Sequence, residues 1–171
     1  AGGDVYAEKN WGAGFPESWW WGQAQGFERE DVCVAFSGGV LTAGPVSVTV
    51  GGIMVRIGAH LIRLTPPTAI VRSHYDDNRW EISGRGHGYR VSIVGTGVGD
   101  PHVLPVPVPA ERRNADTDFE YLAGHLTLAV SGRLHFSGET HFAGLEYGYR
   151  PPDLPPAKNG ALGVDGRQDS T

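Results

Sequence analysis

Trp19, Trp21, Gln23 and Gln25 form the group in this sequence whose types and spacing point most directly to binding chemistry. Extended chain has a period of two, so these four side chains fall on one face and Trp20, Gly22, Ala24 and Gly26 on the other. Paired indoles followed by paired amides make a surface half apolar and half hydrogen-bonding. A plain core disfavours this, since each buried amide without a partner costs roughly 1–3 kcal/mol. One reading is a cavity wall. The other is a core of tryptophans with the glutamines turned to water at a sheet edge.

The other chemistry-bearing residues are weaker candidates. His135 and His141 have even spacing, and His125 pairs with them across a hairpin. A metal needs such ligands clustered in space, but imidazoles at this density in a β protein are more often surface groups, and no metal is expected. Cys33 lies between Val32 and Val34 and reads as a small hydrophobe rather than a nucleophile. The sequence contains no nucleophile elbow, phosphate loop or dinucleotide fingerprint, and no cofactor is expected.

The elements that must position these residues are short strands. Alternation gives a strand over 18–27, a charged turn at 28–31, and a second strand from Val32 punctuated by Gly38 and Gly39. A hairpin is expected over 46–57 with Gly51 and Gly52 as its turn. Further strands are expected at 60–64, 69–74, 79–83 and 89–94. Residues 102–109 alternate Val and Leu with Pro, which confines them to an edge strand or extended loop. Residues 111–118 read as a charged loop, and 119–130 with 133–147 as a closing hairpin turning at Ser131 and Gly132. No segment holds a helical period. Nine or ten strands without a helix indicate an antiparallel sandwich or barrel. Residues 1–5 read as a flexible lead, 6–150 as one domain and 151–171, with its Pro pairs, as an extended tail.

Glu8-Lys9-Asn10-Trp11-Gly12, then Gly14-Phe15-Pro16, then Trp19 and Trp21 followed by Gln23 and Phe27, resemble the opening of the C-terminal half of the tocopherol cyclase family, which closes the chromanol ring of vitamin E. The resemblance extends more thinly through Ile82, Ser83, residues 104–109, Tyr121, Gly124 and Leu126. It implies a lipocalin-like β-barrel whose mouth holds an apolar ligand. It also implies acid-initiated ring closure of a prenylated phenol or other isoprenoid: a proton goes to an alkene, a tertiary cation forms, and a phenol oxygen attacks. On this resemblance Glu8 is the expected acid, with its pKa raised by desolvation. Trp11, Trp19 and Trp21 present π faces to the cation, while Asn10, Gln23 and Gln25 orient the hydroxyl. A salt bridge from Glu8 to Lys9 or an arginine is the structural alternative. In the family and its carotenoid-hydratase-like relatives two such barrels lie side by side, and this chain corresponds to the second. A homodimer, or a complex with the missing half, is therefore expected. The competing reading is a non-catalytic lipocalin-like module that binds a hydrophobic ligand or a partner barrel.

Composition narrows the classes further. The chain has 171 residues, 40% hydrophobic, with a formal net charge of -5 and no basic stripe, which argues against nucleic acid. Its one cysteine cannot form an intramolecular disulfide. No stretch approaches the roughly 18 apolar residues of a membrane span, so a soluble, cytoplasmic protein is expected, with a removed targeting peptide left open.

Overall fold

The computed structural model of the protein describes residues 15–76, 78–108 and 112–151, and every regular element among them is a β-strand. In chain order these are β1 (Ser18–Gln25), β2 (Val32–Ala43), β3 (Val46–Ile57), β4 (His60–Leu64) and β5 (Ala69–Asp76). They continue with β6 (Arg79–Gly86), β7 (Tyr89–Gly97), β8 (His102–Val108), β9 (Arg113–Gly132) and β10 (Phe136–Tyr149). All pairings are antiparallel, in the order β4-β3-β2-β1-β10-β9-β7-β6-β5, with β8 added on β9.

Period-two alternation explains the core. In β6 and β7, Trp80, Ile82, Val91 and Ile93 are buried, while Glu81, Ser83, Arg90 and Ser92 between them are exposed. Each large apolar side chain so buried contributes about 1.5–3 kcal/mol. The inward face of β1 carries Gly22 and Ala24, both buried. A side chain at 22 would strike Phe36 and Leu145, its partners on β2 and β10. The small residues thus let the core close directly onto the backbone of β1.

The sheet rolls until its two end strands approach one another. An added Cβ at Gly51 of β3 would stand 3.4 Å from Val71 Cγ1 of β5, and one at Gly84 of β6 would meet Ile53 and Leu64. No ladder joins the ends among the described residues. β4 pairs only β3 and β5 only β6. Among the described residues the ladder does not close into the expected barrel, and the sheet is rolled with an open seam. Two features account for it: β4 has five residues and covers only Ile53–Ile57 of β3, and Pro66 and Pro67 lie in the connection to β5 and have no N–H to donate.

Three sequence expectations are corrected. Gly38 and Gly39 do not end β2, and Gly51 and Gly52 do not form a turn. Both pairs lie inside long strands in continuous register, with Gly38 opposite Gly51. The reversal between β2 and β3 is at Gly44 and Pro45, where Gly44 has φ 61°. The glycine at 38 is required because the Trp20 ring lies against it. Residues 113–118, expected in a loop, form the first third of β9: Ala115 and Thr117 point inward and are buried, and their ladder partner is β8. The expected edge strand is β8, which pairs on one side with β9. The expected tail beyond Pro151 and the lead at 1–5 lie outside the described residues.

Candidate functional site

The outward face of β1, β10 and β9 gathers the residues with the most chemistry. Ladder register places Trp21 opposite Glu146 and Trp19 opposite Gly148, while Glu146 and Gly148 stand opposite Glu120 and Asp118. Trp19, Trp21, Gln23 and Gln25 share this face and are all half-buried. The alternation expected from sequence therefore holds, with the indole and amide side chains away from the core. Gly148 makes the floor: any side chain there would collide with the Trp19 ring, and Gly144 lies under Trp21 and Gln23. Phe15 covers Trp19 from the other side, ring centroids 5.0 Å apart.

Glu146 is held at the centre. Trp19 Nε1 donates to Glu146 Oε1 at 2.8 Å, and from the core side Trp80 Nε1 donates to the Glu146 carbonyl at 3.1 Å. Carboxyl oxygens of Asp118, Glu120 and Glu146 come within 4.8 Å of one another. Burial, and then the charge of Asp118, push the Glu146 carboxyl up to about 7, against the pull of the Trp19 hydrogen bond. Burial, and then the charge of Glu120, push Asp118 up to about 6. Both carboxyls are thus raised, chiefly by burial and by the carboxylates beside them. A carboxylic acid that keeps its proton near neutral pH beside an indole is suited to proton donation.

Of the residues expected at the site, Trp19, Trp21, Gln23 and Gln25 are brought together on this face. Glu8, Asn10 and Trp11 lie outside the described residues. Glu146, Asp118 and Glu120 escaped the sequence reading. In one dimension Glu146 is an outward residue between Leu145 and Tyr147, and the register alone sets it against Trp21. The histidines do come near one another: the His125 and His141 rings are 4.8 Å apart, and His125 Nε2 is 3.3 Å from Glu139 Oε2. Both contacts lie at the surface. Cys33 is half-buried on the outward side of β2.

The described residues form an antiparallel all-β domain with a carboxyl set beside a tryptophan. Residues 2–149 match the family described as Tocopherol cyclase-like, and the chain belongs to that family. It is 36% identical over 110 residues to a rice (Oryza sativa subsp. japonica) protein named "Probable tocopherol cyclase, chloroplastic", a match covering 53% of this chain and 20% of the rice protein. The chain thus corresponds to about a fifth of that relative's length. No solved structure matches it. No helix among the described residues is long and apolar enough to cross a membrane.

Proposed function

We propose that this domain carries out, or contributes the acid to, a tocopherol-cyclase-like ring closure on a prenylated phenol or other isoprenoid. The observation that carries this reading is the carboxyl of Glu146, held protonated by burial and by Asp118 and oriented by Trp19 Nε1. In the proposed reaction Glu146 gives its proton to one carbon of a trisubstituted alkene, leaving a tertiary cation at the other. The phenol oxygen bonds to that carbon, and the phenol proton returns to the carboxylate, so the acid is regenerated. Trp19 and Trp21 offer π faces to the cation, and Gln23 and Gln25 orient the ring hydroxyl. Glu8, Asn10 and Trp11, nominated by the resemblance, are proposed as a second acid and further wall. A general acid of this kind contributes about 10²–10⁴-fold.

Three further readings accompany this one. The rolled sheet is proposed to act as a lipocalin-like barrel in solution, in a soluble, cytoplasmic setting. The open seam supports the alternative of a module that binds a hydrophobic ligand, or a second barrel, without turnover. A homodimer or partner domain is proposed on the exposed Leu41, Val46, Val48 and Val50 of the β2–β3 hairpin.

The test is incubation with a prenylated hydroquinone and chromatography for the ring-closed product, with Glu146→Gln, Asp118→Asn and Glu8→Gln in parallel. Product that falls by about 10²-fold or more in Glu146→Gln supports the assignment. Undiminished product in that variant, with loss in Glu8→Gln, moves the acid to Glu8. Saturable binding without product in any variant leaves the module reading.

A further inference from the structure

The face of β5, β6 and β7 that looks away from the core carries positive charge without a counter-charge. Ladder register sets Arg72 of β5 beside Ser83 of β6, and Ser83 beside Ser92 of β7. In the adjacent outward row Arg85 of β6 stands directly opposite Arg90 of β7. All five residues are exposed. Residues paired in this way share a face with Cβ atoms about 4.5–5.5 Å apart, and like charges so placed repel one another. Among the described residues no carboxylate pairs with Arg72, Arg85 or Arg90. Glu81 and Asp76 lie on the same face, in the two rows on the far side of Ser83, and Glu81 already accepts from Arg79 Nε at 3.0 Å. The β9 residues that continue the two arginine rows are Ala129 and Ser131, so that flank supplies no acid. A fourth guanidinium borders the group, since the Arg133 side chain lies against Gly88 in the turn from β6 to β7. The chain as a whole has a net charge of -5, so this patch runs against its overall sign.

Shape follows from the same rows. Two short serines stand among long arginines, and an open groove of about 490 Å³ runs over them, lined by Arg72, His74, Glu81, Ser83 and Ser92 among others. A serine hydroxyl can donate one hydrogen bond, and a guanidinium offers a planar fork of donors that matches the oxygens of a phosphate. An anion seated on Ser83 and Ser92 meets Arg72 in its own row and Arg85 and Arg90 in the next, and it offsets the repulsion between those two. A neutral guest leaves that repulsion in place, and a cation adds to it. We propose that this outward face is a binding site for a phosphate dianion, the end group of a phosphate monoester carried by a soluble molecule or by a lipid. The inference uses none of the residues around Glu146 and does not rest on the ring-closure reading. The three arginines are scattered at 72, 85 and 90 and meet only through the register of three strands, which is why the sequence shows no basic stripe.

The experiment is isothermal titration of the purified chain with glycerol 3-phosphate at about pH 8, above the second phosphate pKa of about 6. Ionic strength is kept near 0.01 M, where the Debye length is about 30 Å. Co-sedimentation with phosphatidylcholine vesicles, with and without phosphatidic acid, is the second arm and separates a lipid-borne phosphate from a soluble one. Wild type is compared with Arg85→Gln and Arg90→Gln, and with Arg63→Gln, which removes the same charge from the exposed side of β4. Circular dichroism checks folding. Binding in either arm that weakens about tenfold or more in Arg85→Gln and Arg90→Gln, and stays like wild type in Arg63→Gln, supports the site. Three results overturn it: wild type that binds in neither arm, folded Arg85→Gln and Arg90→Gln that bind as wild type does, or Arg63→Gln that loses as much as they do. The ring-closure reading is judged separately, by product in Glu146→Gln.

Discussion

Replacing Glu146 by Gln removes one ionisable member of the carboxyl pair and keeps an oxygen that can accept from Trp19 Nε1. In the fold, burial and the charge of Asp118 hold this carboxyl near 7 against an ordinary 4.5. The folded chain therefore binds the proton more tightly than the unfolded chain. Its contribution is fully present below about pH 4.5 and is lost as pH rises through about 7. At 1.36 kcal/mol per pKa unit the whole displacement corresponds to roughly 3 kcal/mol. Partial exposure of the group, and the sharing of one repulsion between Glu146 and Asp118, reduce this to about 1–1.5 kcal/mol. The glutamine variant carries no such penalty at high pH, so it gains that amount relative to wild type. In a domain of this length the gain raises Tm by about 2–6 °C. Thermal unfolding at pH 5 and pH 8 checks it: the two proteins should melt together at pH 5, with the variant higher at pH 8. A variant that melts at or below wild type at pH 8, or that gains equally at both pH values, refutes the placement of a strained carboxyl at 146.

Other consequences follow from neighbouring contacts. Gly148→Ala places a methyl against the Trp19 ring; the indole must leave Glu146, and tryptophan emission should shift to the red with loss of any ring-closing activity. Thr140→Val removes a buried hydroxyl that donates to the Gln25 carbonyl at 2.7 Å and accepts from Phe142 N. That change should cost about 1–3 kcal/mol by urea denaturation. If Glu146 is the acid, the rate of ring closure should fall as pH rises through about 7, and a pH–rate profile flat from 6 to 9 excludes it. Val48→Lys puts a charge on the exposed strand edge of β3 and should shift any dimer seen by light scattering to monomer.

The strand content was legible because alternation is local. β1, β4 and the β5–β6 and β9–β10 hairpins announce themselves through period two and their turns. The glycine pairs at 38–39 and 51–52 misled for a physical reason: glycine marks a turn and also a place where another group presses on the backbone, and only packing tells the two apart. At Gly38 the pressing group is Trp20, distant in sequence. Residues 113–118 were obscured by their charges: Asp116 and Asp118 alternate with the small, buried Ala115 and Thr117. The indole and amide face was visible in the spacing of Trp19 to Gln25. Its acid partner was not, because Glu146 reaches Trp21 through a ladder across 125 residues of chain, and no local pattern encodes which strand becomes the neighbour of β1.

The seam also sets the order in which the sheet lets go. A closed barrel has no end at which its ladders can fray, whereas this sheet has two, lying face to face. Local opening should begin at β4 and β5, each held on one side only, and reach β9 and β10 last, since these are paired on both flanks. Backbone amides of 46–52 and 69–76 should accordingly take up deuterium within the earliest time points, while those of 124–130 hold their protons longest. The seam is thus the part of the sheet with the shortest closed lifetime.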